Sequence, residues 1–156
     1  MPKHNISMLM MSMAFLLERS FGFLVHDVAR LLGKRFDRRI RSLGLTRAQF
    51  RVLFHVARNE GMNQACLADL LEIEPITLTR LIDRMEAAGW IERRHDPADR
   101  RAKILFLTAR TWPILEEGWG ISKEVREESL NGLSEQERTT LMALLERVHA
   151  NLSRTE

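Results

Sequence analysis

The hydrophobic pattern changes period abruptly at Gly89, and few folds accommodate what lies on either side. Before it, Leu78, Leu81, Ile82 and Met85 recur at three- and four-residue spacing, which predicts an amphipathic helix from Glu74-Pro75 to about Ala88. Pro75 suits the first turn, because the N–H it lacks would have no helical partner there. After it, Trp90–Arg94 and Lys103–Leu107 read as short strands. The polar segment His95-Asp96-Pro97-Ala98-Asp99-Arg100-Arg101 between them is too long for a two-residue hairpin turn. A helix that runs straight into a β-ribbon needs further helices to cover it.

The rest of the chain supplies them. Phe21, Leu24, Val25, Val28, Leu31, Leu32 and Phe36 predict a long amphipathic helix over about 20–42, with Arg30, Lys34, Arg35, Arg38 and Arg39 on its other face. Gly44 ends it, and Thr46 can cap a second helix through about Arg58 with Phe50, Leu53 and Phe54 facing inward. Asn63 can cap a short helix, Gln64–Leu71, that buries Leu67, Leu70 and Leu71. Beyond Thr108 a helix is expected to about Leu130, weakened by Pro113, Gly118 and Gly120. Ser134-Glu135-Gln136-Glu137 is a capping box for a last helix with the stripe Leu141, Leu144, Leu145, Val148 and Leu152. The predicted order is four helices, a hairpin and two helices: mainly α with a small β-hairpin.

Charge is segregated along this order. Lys and Arg exceed Asp and Glu by 7 over residues 1–60, balance them over 61–110, and fall 4 short over 111–156. A basic front and an acidic tail suit a nucleic-acid partner without requiring one. Within the balanced middle, Arg93, Arg94, Arg100, Arg101 and Lys103 crowd into the ribbon. The single cysteine, Cys66, rules out an intramolecular disulfide and fits a cytoplasmic location. Lys3 and the twelve-residue apolar run Ile6–Leu17 have the outline of a secretory signal, but Glu18 and Arg19 follow where a small-residue cleavage site would stand. The run is too short to span a bilayer, so residues 1–19 read as an apolar arm needing a partner surface, with no membrane role.

A short helix, a tight turn and a helix carrying Thr77, Arg80 and Arg84 on one free face form a helix-turn-helix pattern. Such a helix fits the major groove, where Thr touches base edges or phosphate and Arg pairs with guanine. Ordinary bundles share this spacing, so the pattern alone leaves a solvated face open. The ribbon shifts the balance: a tip of Asp99, Arg100 and Arg101 suits a narrow minor groove, which attracts an inserted Arg. Asp99 stands where it can hold the Arg101 guanidinium extended.

These residues resemble a known signature. Asp99-x-Arg101, five residues, then Leu107-Thr108 is similar to the motif of the multiple antibiotic resistance regulator (MarR) family, and Asp99–Lys103 resembles its SlyA-type members. The likeness continues through Thr77-Leu78-Thr79-Arg80-Leu81-Ile82-Asp83-Arg84-Met85-Glu86 and Leu45-Thr46, and covers about 20–153. It implies a winged helix-turn-helix domain with a DNA-binding lobe at about 46–110 and dimerisation helices at about 20–42 and 109–153. It further implies a homodimer on a pseudo-palindrome of double-stranded DNA, acting as a repressor. Under the resemblance Arg80 reaches bases and Thr77 and Arg84 reach base edges or phosphates. Thr79 and Arg100 join the DNA-facing set, Arg101 enters the minor groove with Asp99 as its positioner, and Asn63 and Gln64 contact phosphate. One departure stands out: the proline lies one position earlier than in some relatives, which leaves the roles of Pro75 and Ile76 open.

The resemblance also implies release by a small aromatic carboxylate or phenolic effector. His26, Arg30, Phe50 and Phe54 are the candidates, a cation beside aromatic walls; plain core and surface roles remain the alternative for each. The five histidines are scattered without ligand spacing, so neither a metal nor a cofactor is expected. No nucleophile–base constellation or glycine-rich phosphate loop suggests an enzyme. The rival readings are a helical dimerisation or adaptor module that does not bind DNA, and a redox-responsive regulator using Cys66.

Overall fold

Ser20 opens helix α1 (Phe21–Ile40) by accepting the Phe23 N–H at 3.3 Å, and Gly44, at φ +71°, closes the 3-10 turn Arg41–Leu43 that follows. This computed structural model describes residues 20–99 and 101–154; the apolar arm 1–19 and Arg100 of the ribbon tip lie outside the described residues. Helix α2 (Arg47–Arg58) starts in a capping box, with Thr46 N donating to Gln49 Oε1 (2.8 Å) and Gln49 N to Thr46 Oγ1 (3.2 Å). It buries Phe50, Val52, Leu53 and Val56 and leaves Phe54 half-buried.

Strand β1 (Met62–Asn63) precedes helix α3 (Gln64–Leu71), and helix α4 (Pro75–Ala87) follows after a three-residue turn. Strands β2 (Ile91–His95) and β3 (Lys103–Leu107) form the ribbon, and β1 joins its far edge, giving an antiparallel sheet in the order β1-β3-β2. Ile91 pairs with Leu107, His95 with Lys103, and Met62 with Leu105. The third strand is a finding beyond the sequence expectation, since two residues are too few to show an alternating pattern. Trp90, expected in the first strand, precedes it. Its carbonyl is held by Thr108 N (3.1 Å) and Thr111 Oγ1 (2.7 Å), so it anchors the ribbon's base instead of extending the ladder.

Helix α5 (Thr111–Ser129) is continuous through the residues expected to weaken it. Pro113 is its third residue, where a missing N–H breaks no helical bond. Gly118 admits Phe50: a Cβ there would lie 2.2 Å from the Phe50 ring, so glycine lets α5 cross close over α2. Phe50 in turn stacks obliquely on Phe36 of α1, ring centroids 5.2 Å apart. Arg39 on α1 pairs with Glu124 (3.7 Å) and Glu128 (2.7 Å) on α5, and Arg35 also meets Glu128.

The fully buried core includes Ile40, Leu45, Leu53, Leu67, Leu78, Ile82, Met85, Ile91, Leu105 and Leu115, drawn from helices α1 to α5 and strands β2 and β3, with Leu45 from the loop before α2. Leu70 is a correction: it is exposed, and Ala68 takes its expected place beside Leu67 and Leu71. An eight-residue helix turns too little of its surface inward to bury both sides.

Helix α6 (Glu135–Ser153) begins at the expected capping box, with Ser134 N donating to Glu137 Oε2 at 2.8 Å. None of its residues is buried, and Leu141, Met142, Leu144, Leu145 and Leu152 are exposed. The first half of α1 is likewise bare at Phe21, Leu24, Val25, Val28 and Leu31. Among the described residues no helix is long and apolar enough to cross a membrane.

Candidate nucleic-acid interface

Helices α3 and α4 are held as one unit by polar contacts across a tight turn. Glu72 adopts a left-handed conformation (φ +53°) and Ile73 N bonds back to Ala68 O at 3.1 Å, which reverses the chain within three residues. Gln64 Nε2 then donates to Thr79 Oγ1 (2.9 Å), and Thr79 Oγ1 donates to Pro75 O (2.9 Å). The structure thus brings Gln64 and Thr79 together with each other, and their contact fixes the angle between the two helices. Asn63 caps α3 by accepting the Ala65 N–H at 2.7 Å.

Thr77, Arg80 and Arg84 project from the free face of α4 and are exposed, as their spacing predicts. Arg80 and Arg84 form no ion pair or hydrogen bond among the described residues. The ribbon cations behave otherwise. Arg93 reaches back to α4, where its guanidinium meets Asp83 (2.6 Å) and Glu86 (Nε to Oε2, 2.9 Å) and its backbone N–H donates to Glu86 (3.2 Å). The bond from Arg93 holds the Glu86 carboxyl below its ordinary range, and the same pairing raises the Arg93 guanidinium. Arg94 grips Glu92 (2.9 and 3.0 Å) and lies 4.2 Å over the Phe106 ring. Two of the five crowded charges are therefore neutralised within the protein, a fact that only the fold reveals.

At the tip, Asp99 Oδ1 accepts the Arg101 backbone N–H at 2.9 Å, and Ala102 N returns to Asp99 O at 2.9 Å. Asp99 therefore organises the backbone under Arg101, where the sequence suggested a hold on its guanidinium. A carboxylate two residues ahead reaches the amide more readily than a long side chain directed away. The Arg101 guanidinium stands exposed beyond it.

The ribbon's base shows why a threonine ends the motif. Thr108 Oγ1 donates to Gly89 O (2.7 Å), and Thr111, fully buried, donates to Trp90 O (2.7 Å). Thr111 was not singled out in the sequence, because a threonine after a strand carries no signal of its own. Thr111→Val, which leaves the Trp90 carbonyl short of a donor, is expected to lower unfolding stability by about 1–2 kcal/mol. Urea denaturation measures this, and an unmoved midpoint would show that the ribbon does not depend on the bond.

The proposed effector residues fall in different settings. His26 and Arg30 are exposed on α1, with Arg30 Nε bound to Asp27 at 2.9 Å. Phe50 is core. Phe54 meets Trp119 of α5 edge-on (6.4 Å), abuts His55 (5.3 Å) and has the Arg58 guanidinium 5.5 Å from its ring centre. Burial, followed by the charges of Arg51 and Arg58, lowers the pKa of His55. No ring contact, hydrogen bond or ion pair joins His26 or Arg30 to either phenylalanine. Cys66 is an exposed thiol, and no group of three or more potential ligands among the described residues is placed to hold a metal ion.

Helix α2, the helix-turn-helix α3–α4 and a β-ribbon stapled to α4 define a winged helix-turn-helix protein. The sequence model of the MarR family matches residues 45–103. The chain is 32% identical to the uncharacterized HTH-type transcriptional regulator YybA of Bacillus subtilis (strain 168), covering 81% of this chain and 85% of that one. It is 35% identical to the transcriptional regulator HosA of Escherichia coli O111:H-, covering 67% and 77%. Among solved structures, a mutant MarR from E. coli complexed with operator DNA superposes with a TM-score of 0.73 at 29% identity, covering 81% of this chain and 91% of that one. The transcriptional regulator SlyA superposes at 0.73 and 28%, covering 83% and 92%. The chain belongs to the MarR family of winged-helix transcriptional regulators.

Proposed function

We propose that the chain is a cytoplasmic, sequence-specific repressor that binds a pseudo-palindromic operator in double-stranded DNA as a homodimer. One observation carries this reading: among the described arginines of α4 and the ribbon, those left without carboxylate partners are the ones exposed on the helix's free face and at the wing tip. Arg80 and Arg84 on α4 and Arg101 on the ribbon remain available, while Arg93 and Arg94 are neutralised behind them. In this reading α4 enters the major groove, Arg101 the adjacent minor groove, and Thr77 and Arg84 contact base edges or phosphates. The lobe at about 46–110 binds DNA, and Asn63, Gln64 and Thr79 set its docking angle. The relative solved with operator DNA supports the same assignment.

Dimerisation through residues 20–42 and 109–153 is supported by the bare apolar faces of α1 and α6, which this chain alone leaves in water. A symmetric pair would set the two α4 helices about one DNA turn apart. A small aromatic carboxylate or phenol is the effector class that the Phe54–Trp119 pair with Arg58 beside it would suit.

The test is selection of bound sequences from a random duplex pool, repeated with aromatic carboxylates present. Recovery of one two-fold-related site is expected, and recovery of none would favour the adaptor reading. On the recovered site, Arg101→Ala should weaken binding by about 1–3 kcal/mol at fixed salt with the dimer intact. Unchanged affinity would remove the wing tip from the interface.

A further inference from the structure

The recognition helix carries one outward side chain that neither charge nor hydrogen bonding explains. Ile76 is 59% exposed at the second position of α4, between Pro75 and Thr77 and one turn ahead of Arg80. The core side of that turn belongs to Leu78, which is fully buried, and Ile76 is not among the apolar residues packed against the core. As a β-branched residue it is also a poorer helix former than alanine or most polar alternatives. Folding therefore gives no reason for isoleucine here.

We propose that Ile76 is a specificity-determining residue that reads the 5-methyl group of a thymine. This rests on the DNA-binding reading above. In a helix-turn-helix complex the first residues of the recognition helix approach the base edges most closely. The edges there are donors and acceptors, and the thymine methyl is the apolar group among them. An isoleucine pressed onto polar edges would strip them of water and return nothing, whereas on a methyl it removes apolar surface from water on both sides. Thr77 and Arg80, its neighbours, supply hydrogen bonds, so Ile76 adds the one contact they cannot make. The stiffness of a β-branched side chain leaves little rotamer freedom to lose on docking.

Single exposed apolar residues are common on protein surfaces, so the experiment must interrogate the methyl itself. Each thymine of the selected site is replaced in turn by uracil, which removes the methyl and keeps the base pair. Wild-type protein is expected to lose about fourfold in affinity at one thymine per half-site. Ile76→Ala should bind the thymine and uracil forms of that position equally, matching wild type on uracil within about twofold. Arg80→Ala, weaker throughout, should keep the wild-type ratio. Ile76 is on the surface, and an unchanged thermal midpoint of the alanine variant confirms that folding is not being read. A site with no methyl-sensitive thymine, or a thymine/uracil ratio that Ile76→Ala leaves unchanged, overturns the assignment of Ile76. Failure of the DNA-binding reading itself looks different: wild type recovers no site from the pool, which overturns both.

Discussion

Replacing Leu144 and Leu145 together with glutamate is expected to yield a monomer that binds a two-half-site duplex at least about a hundredfold more weakly than the wild-type chain. Both leucines lie on α6, half exposed, on a helix of which no residue is buried by its own chain. A nineteen-residue helix with an apolar stripe gains little from water, and most helical stability in proteins comes from packing such a stripe. Arg138 ties only its start, through Glu127 (2.7 Å) and the carbonyls of Leu130 and Leu133. The rest needs another surface, and the bare half of α1 on a second copy offers one of matching character. Full burial of a leucine is worth about 1.5–3 kcal/mol, and a carboxylate placed there carries a desolvation cost besides. Sedimentation equilibrium reads the assembly state, and titration against full and single half-sites reads the lost bivalency. Half-site affinity should change little. A double variant that remains dimeric with wild-type affinity would mean that α6 is not the interface.

The parts of this fold that could be read from the sequence are those set by neighbours in the chain. The stripe Leu78, Leu81, Ile82 and Met85 is buried as its spacing requires, between a proline start and a Gly89 stop at φ +72°. Thr46 and Ser134 cap their helices because the capping group lies three residues from its target. What escaped the sequence depends on contacts between distant residues. Arg93 looked like any other ribbon cation until the fold placed it against Asp83 and Glu86, ten and seven residues away. Gln64 and Thr79 looked like surface polar groups until the turn at Glu72 brought them into hydrogen-bond range. Trp119 gave no hint of meeting Phe54, because nothing in either helix specifies where α5 crosses α2; Gly118 alone records that approach. The exposed faces of α1 and α6 are a third case. Their stripes were legible as apolar, but the sequence cannot tell a stripe buried by its own chain from one left bare.

Arg93→Glu is the second substitution with a large expected effect, at least about thirtyfold in DNA affinity, although the Arg93 guanidinium is already paired with Asp83 and Glu86. Its side chain is only 20% exposed and joins β2 to Asp83 and Glu86, so it fixes the wing on the same helix that carries Arg80 and Arg84. Arg93→Ala should cost about 1 kcal/mol of stability, a discounted figure because both carboxylates remain substantially solvated. Arg93→Glu adds like-charge repulsion and should swing the wing outward, carrying Arg101 out of register with the recognition helix. The charge-exchanged pair Arg93→Glu with Glu86→Arg should recover most of the loss, which simple removal of a DNA-contacting cation would not. The salt dependence separates the two cases further. Loss of a phosphate contact lowers the slope of log affinity against log salt by about 1, whereas alanine at a cation already neutralised within the protein should leave it at the wild-type value. The clamp also predicts an acid limit. Because Arg93 lowers the Glu86 carboxyl below its unfolded value, the clamp's stabilisation is fully present above the ordinary carboxylate range. It is lost as pH falls through the lowered value. Glu86→Gln should flatten that part of the stability profile. If Arg93→Ala instead reduced the salt slope as Arg101→Ala does, Arg93 would have to leave its carboxylates on binding, and the wing would be a hinged arm and not a fixed one.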